Sequence, residues 1–267
     1  MSRLAATFAR AATEKRKVLV AYLCMGDPSE EESVALACVE AGADILELGS
    51  PFSDPTADGP AIARASQRAI AKGGGLASTL RAAKAIRAKT AAPLVLFGYY
   101  NPLFVRGDVR AIDDAADAGI DALLIVDLPL EEGGELRARA AERGVAVVPL
   151  VAPTSAAARA SQIHAVRERS GFVYYVSVAG VTGAAAAPLR DASRQAALLR
   201  EATGLPVVVG FGVDSPEKAR EAAMEVDGVV VGTAIVRQIE DGTTKADRMT
   251  RVTNLIRSLR SGLDGAA

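Results

Sequence analysis

One acidic residue interrupts one of the most apolar runs in the chain: Glu47, within Ile45-Leu46-Glu47-Leu48-Gly49. In a strand buried on both faces its carboxyl would lose much of its hydration. That favours the neutral acid, raises the pKa and prepares the group to donate a proton near neutral pH. The same residue could instead be a structural carboxylate paired with a lysine or arginine. Directly behind it comes Ser50-Pro51-Phe52-Ser53-Asp54-Pro55-Thr56-Ala57-Asp58-Gly59-Pro60, a loop stiffened by three prolines and carrying two aspartates. Each aspartate could serve a turn or a helix cap. Asp58, just ahead of Gly59-Pro60 and a helical pattern, is either that cap or a second carboxylate beside Glu47.

Three later segments are rich in glycine: Gly180-Val181-Thr182-Gly183, Gly210-Phe211-Gly212 and Gly232-Thr233. Single glycine pairs are common in turns, but three of them after successive strands would let the backbone approach an anion. A helix starting near Thr233 would aim free amides and its dipole at such an anion. Tyr99, Tyr100 and Asn101, with Tyr174 and Tyr175, place hydroxyl-bearing rings near the same end, although isolated tyrosines are most often packing residues. Asp127, ahead of Leu128-Pro129-Leu130, could cap, orient a neighbour or touch a partner. Other chemistries are closed off by composition. The chain of 267 residues has one histidine, His164, and two cysteines, Cys24 and Cys38, too few for a multi-histidine metal centre, a four-thiolate zinc site or a disulfide scaffold. Its 31 basic and 32 acidic residues leave a formal net charge of -1, which gives no long-range field for nucleic acid or an anionic membrane.

The elements that must position these residues recur regularly. Eight apolar runs read as strands: Val18 to Cys24, Ile45 to Leu48, Leu94 to Phe97, Ala122 to Val126, Ala146 to Leu150, Phe172 to Ser177, Pro206 to Gly210 and Gly228 to Val231. Most are too continuously apolar for a one-sided sheet and suit a parallel sheet buried on both faces. Between them lie helical patterns at Ser29 to Ala41, Leu76 to Lys89, Val109 to Ala118, Gly134 to Arg143, Ser155 to Arg169, Arg190 to Thr203 and Pro216 to Glu225. Ser215 followed by Pro216 is a helix start, and Gly42, Gly119, Gly144 and Gly204 fall at helix ends. Strand and helix alternating at a spacing of about 30 residues predict an α/β fold of the (β/α)8 TIM-barrel type, with a doubly wound open sheet as the competitor. Leu4 to Ala12 would add an N-terminal helix beneath the barrel and Lys245 to Ser261 the closing one. No linker divides the chain, so residues 1–267 read as a single domain. In such a barrel chemistry sits where strands end, and the unusual residues cluster there. His164 falls in an outer helix, away from that end. The charged N-terminus lacks a secretory signal's apolar core, and no apolar run approaches the roughly 18 residues of a membrane helix, so a cytoplasmic protein is expected.

Taken together, GDP at 26–28, LELGSPFSDPTADGP at 46–60, YYNP at 99–102, DLPLEE at 127–132, SVAGVTG at 177–183, GFGV at 210–213 and GTAIV at 232–236 resemble the tryptophan synthase alpha chain family, in order and over about residues 18 to 240. The proline-rich segment is the specific one. The resemblance implies a lyase that cleaves indole-3-glycerol phosphate into indole and glyceraldehyde 3-phosphate by a retro-aldol reaction. Glu47 and Asp58 match the family's catalytic carboxylates. Gly183, Gly212, Gly232 and Thr233 match phosphate-binding positions, and Tyr22, Phe97, Leu124, Tyr174, Phe211 and Val230 match the indole pocket. Thr182 falls in a loop that would close over substrate and hydrogen-bond Asp58. No cofactor is implied for this chain. Pyridoxal phosphate would belong to the partner, a tryptophan synthase beta chain docked over the barrel mouth in an α2β2 heterotetramer, with the Pro51 to Asp58 loop and DLPLEE as contacts. Three departures stand out: Thr233 for a common serine, Val178-Ala179 for a polar Arg-Ser pair, and Tyr22 where phenylalanine is frequent. Two rival readings are another phosphate-binding barrel enzyme and a subunit that only activates its partner.

Overall fold

The computed structural model describes residues 1–176, 189–210 and 212–265. Nine parallel strands form one sheet: β1 (Val18–Cys24), β2 (Ile45–Gly49), β3 (Leu94–Gly98), β4 (Ala122–Ile125), β5 (Ala146–Val147), β6 (Leu150–Val151), β7 (Val173–Val176), β8 (Val207–Gly210) and β9 (Gly228–Val231). Their spatial order is β5-β4-β3-β2-β1-β9-β8-β7-β6. The two outer strands are the halves of the expected Ala146 to Leu150 strand. Val148 N–H still donates to the Leu123 carbonyl at 2.8 Å, on the β4 side, while the Pro149 carbonyl accepts from Tyr174 N–H at 3.0 Å, on the β7 side. Pro149 has no N–H to continue a ladder. The chain therefore passes from one neighbour to the other within two residues and closes the sheet into an eight-staved barrel, as expected.

The helices are α1 (Arg3–Thr13), α2 (Glu31–Glu40), α3 (Pro60–Ala71), α4 (Leu76–Arg87), α5 (Tyr100–Arg106), α6 (Asp108–Asp117), α7 (Gly134–Glu142), α8 (Ala156–Ala165), α9 (Leu189–Thr203), α10 (Pro216–Ala223), α11 (Thr233–Asp241) and α12 (Lys245–Asp264). Ser215 caps α10 through a 3.3 Å bond from Lys218 N–H, with Pro216 at the first helical position. The pattern expected to run to Arg169 breaks at Ala165, and a 3₁₀ turn, Arg167–Arg169, follows. Helix α5 was not anticipated. It begins where Tyr100 N–H finds the Asp127 carboxylate at 2.7 Å, so Asp127 orients a neighbouring segment.

Side-chain parity divides the core into two layers. Val18, Val20, Ile45, Val95, Ala122, Leu124, Phe172, Tyr174, Val208 and Val230 fill the interior. Leu4, Phe8 and Ala11 of α1 plug its bottom, with the Phe8 and Phe172 rings 5.6 Å apart. Leu19, Leu23, Leu46, Leu48, Leu96 and Leu123 face the surrounding helices instead.

At the bottom, three strands are entered through equivalent aspartates. Asp44, Asp121 and Asp227 each donate their own N–H to the carbonyl of a residue on the preceding stave, and each carboxylate accepts the N–H of that same residue. The partners are Leu19, Leu94 and Val207, with carboxylate distances of 2.9, 2.9 and 2.8 Å. Arginines neutralise the charges: Arg16 and Arg260 at Asp44, Arg3 and Arg87 at Asp121, and Arg200 at Asp227. Asp44 is the most deeply placed, its side chain only 5% exposed. Asp44→Ala strands the Leu19 amide and takes a buried partner from Arg16 and Arg260, which keep Glu14 and Asp264, so it is expected to destabilise the protein by about 2 kcal/mol, measured by urea unfolding, with activity per folded molecule unchanged.

Candidate active site

Register places Glu47 in the barrel interior, level with Tyr22 on one side and Val95 on the other. It is 1% exposed, and among the described residues neither carboxylate oxygen has a hydrogen-bond partner. No lysine or arginine forms an ion pair with it among those residues, so the structural-carboxylate alternative does not hold. Dehydration, followed by the nearby charge of Asp58, pushes its pKa up to about 8. It is thus a neutral acid at pH 7, close enough to its pKa to work in both directions.

Asp58 is half-buried at the rim. Burial pushes its pKa up to about 6, opposed by a hydrogen bond from the Tyr99 hydroxyl. That hydroxyl also accepts from Ala57 N–H at 3.0 Å, and the Phe52 ring stacks on Tyr99 with centroids 5.1 Å apart. The capping alternative for Asp58 fails: the N-cap of α3 is Gly59, with no side-chain cap bond and Pro60 behind it. The two carboxyls are therefore tuned apart, Glu47 protonated and Asp58 mostly ionised at neutral pH.

Two glycines make room for the rings around Glu47. A methyl group added at Gly49 would overlap the Tyr22 hydroxyl, and one at Gly210 would lie 2.7 Å from the Tyr174 hydroxyl. Both sit at inward positions of their strands, so each tyrosine folds over a neighbouring stave that lacks a side chain. Phe97 meets Tyr22 edge-on at 5.3 Å. Tyr22, Phe97, Leu124, Tyr174 and Val230 all belong to the interior or mouth layers.

Gly212 adopts a left-handed φ of +66° in the turn before α10, and Gly232 is the N-cap of the nine-residue α11, which Thr233 opens. The α11 amides and dipole thus point from the β9 end toward the mouth. Thr182, Gly183 and Phe211, together with Val178 and Ala179, lie outside the described residues. His164 is on the exposed side of α8, where its Nδ1 is 3.1 Å from the Thr203 carbonyl. Among the described residues no cluster of His, Cys, Asp and Glu could hold a metal ion, and no helix is long and apolar enough to cross a membrane.

A family model described as tryptophan synthase alpha chain matches residues 8–263. The chain belongs to the tryptophan synthase alpha chain family. The alpha chains of Geotalea daltonii and Geobacter sulfurreducens are each 44% identical to it over 265 residues, covering 98% of this chain and 99% of theirs. The crystal structure of tryptophan synthase subunit alpha from Legionella pneumophila matches with a TM-score of 0.91 at 33% identity, over 99% of both chains. An aminoacrylate-bound tryptophan synthase from Mycobacterium tuberculosis matches with a TM-score of 0.83 at 34% identity, over 98% of this chain and 100% of that one. The activity is that of the family, a carbon–carbon lyase cleaving indole-3-glycerol phosphate in tryptophan biosynthesis.

Sequence reasoning treated Tyr99 as a ring near the mouth and did not see its tie to Asp58. A tyrosine at the first position beyond a barrel strand, opposite a loop with a carboxylate, is the signal that could have found it.

The raised pKa of Glu47 has a sign that stability can report. Between the ordinary 4.5 and about 8 the unfolded chain has released a proton that the folded chain still holds, so stability falls as pH rises through that window. Glu47→Gln, neutral throughout, lacks this loss. Its stability relative to wild type, from urea unfolding at about pH 5 and about pH 9, is expected to be higher at the alkaline value.

Proposed function

We propose that Glu47 shuttles the proton in the cleavage and that Asp58 carries the charge that develops on the indole ring. Breaking the bond between indole C3 and the glycerol chain requires protonation of C3, which turns the ring into a cationic indolenine. It also requires removal of the proton from the adjacent hydroxyl as the aldehyde forms. The single observation that carries this reading is the buried Glu47 carboxyl, which has no hydrogen-bond partner among the described residues and whose pKa burial pushes up to about 8. It can give its proton to C3 and then accept one from the hydroxyl. Asp58, held by Tyr99, would accept the indole N–H and stabilise the cation from the rim.

The indole would lie among Tyr22, Phe97, Leu124, Tyr174, Phe211 and Val230. The phosphate would bind the amides at Gly183, Gly212, Gly232 and Thr233, with the α11 N-terminus supplying part of the positive potential. Thr182 would close over the bound substrate toward Asp58. This chain needs no cofactor of its own in that scheme, since pyridoxal phosphate belongs to the beta chain. We assign residues 1–267 to one domain that works in the cytoplasm.

The beta chain would dock over the mouth in a heterotetramer. Beside the Pro51 to Asp58 loop, the α5–α6 segment that follows β3 exposes Phe104, Val105 and Val109 at 63%, 77% and 58%. Large side chains left this open beside an active site suit a partner surface. They add to the Pro51 to Asp58 loop and DLPLEE contacts expected from the sequence.

The decisive experiment assays indole release from indole-3-glycerol phosphate with and without a beta chain. Glu47→Gln is expected to lower turnover by ~10²-fold or more while glycerol 3-phosphate still binds; wild-type turnover would remove the mechanism. Phe104→Ala is expected to weaken beta-chain affinity by about tenfold in a titration, with indole release by the isolated chain unchanged. An unchanged affinity would remove Phe104 from the interface.

A further inference from the structure

One ion-pair network in this molecule joins three elements of the barrel mouth. Arg68 of α3 donates through Nε and Nη2 to the two oxygens of Asp27, at 3.0 and 2.6 Å, in the turn after β1. Through Nη1 it donates to Glu240 of α11 at 2.8 Å. Arg64, one turn earlier on α3, grips both oxygens of the same Glu240 at 3.0 and 2.8 Å. Asp27 is 6% exposed, so the network reaches from the surface into the wall of the barrel.

Beneath these pairs the contact is smooth. Ala61, Ala65 and Ala69 of α3 pack on Tyr22 and Cys24 of β1 and on Val236 of α11. Ala69 is also flanked by glycines: a methyl group at Gly26 would lie 3.1 Å from its Cβ, and one at Gly74 would lie 2.7 Å from its carbonyl oxygen. Alanine faces allow close approach, but methyl groups interlock little, so they resist separation better than sliding. Forked arginine–carboxylate pairs are directional and resist sliding.

On the site proposed above, the two helices so joined would begin at opposite ends of the substrate. Helix α3 starts two residues after Asp58, and α11 starts at Thr233. We propose that Arg68, with Arg64 beside it, is a positioning residue for the cleavage: by holding Glu240 together and, through Arg68, Asp27 as well, they set the separation between the Asp58 rim and the phosphate-binding end of α11. This placement rests on the phosphate assignment proposed above. Its consequence is specific. Loosening the bridge leaves each end of the site intact and spoils only their spacing, so ligands that touch one end are indifferent to it and ligands that span both are not.

Arg68→Met, made together with Arg64→Met so that neither fork to Glu240 remains, keeps both hydrocarbon stems and removes the bridge. The variant and wild type are titrated calorimetrically with three probes: indole for the ring end, glycerol 3-phosphate for the phosphate end, and indole-3-propanol phosphate, which carries both ends but lacks the reacting hydroxyl. The variant is expected to bind the first two within about twofold of wild type and the third about tenfold or more weaker, with turnover down ~10²-fold, the scale of a misplacement of about 1 Å. Arg64→Lys made together with Arg68→Lys keeps both charges but cannot grip the carboxylates in the same forked way, so it is expected to remain impaired. Glu240→Ala, which removes the acceptor that both arginines hold and spares the Arg68–Asp27 pair, is expected to reproduce the pattern and serves if the double methionine variant does not fold. Equal weakening of all three probes, or unchanged binding of the two-ended one, overturns the proposal. If wild type itself binds indole-3-propanol phosphate no better than indole, the phosphate assignment fails first and the proposal falls with it.

Discussion

Glu47 occupies an interior of apolar and aromatic side chains that, among the described residues, offers it no counter-charge, and much of the mouth is organised around tolerating that. An ionised carboxylate there would be costly, so the group keeps its proton, and keeping it is what makes it useful. The neighbours follow from the same constraint. An arginine or lysine in reach would restore the ionised form and abolish the acid. The surrounding positions are instead Tyr22, Phe97, Val95 and Tyr174, with Gly49 and Gly210 making space for the tyrosines. Asp58, the nearest other acid, reinforces the protonated state of Glu47 while its own ionisation is protected by Tyr99.

The charges excluded from the interior are used around it. At the bottom, arginines neutralise the aspartates that terminate the strand ladders. At the mouth, Arg64 and Arg68 link the outer helices without entering the barrel. Among the described residues the near-zero net charge thus conceals a radial arrangement, with Glu47 inside the barrel and arginine–carboxylate pairs at its bottom and on its outer wall. The proposed phosphate site fits the same arrangement, since backbone amides attract an anion without adding a formal charge to the mouth.

The barrel was readable in the sequence because strands buried on both faces are continuously apolar, and because they alternate with helical patterns at a spacing of about 30 residues. Glu47 was readable as the exception in such a run. What periodicity could not convey were pairings between distant residues. Arg68 and Glu240 lie 172 positions apart, and nothing in the local pattern of either helix names the other. Similarly, Tyr99 looked like a packing ring until the loop at Ala57 was seen to fold over it. The short α5 escaped notice because its start depends on Asp127, 27 residues away. The fifth strand read as one run because a proline in a short apolar stretch does not reveal that each half pairs with a different neighbour.

That broken stave gives the barrel a seam. Its halves, two residues each, are the shortest strands in the ring and stand at the far ends of the spatial order, with β1 at the centre. A closed ring must take up thermal strain somewhere, and it yields first where the cross-links are fewest. Here that place is diametrically opposite the β1–β2 wall that carries Tyr22 and Glu47. The ring is thus most heavily cross-linked on the side that holds the acid and least on the side facing it.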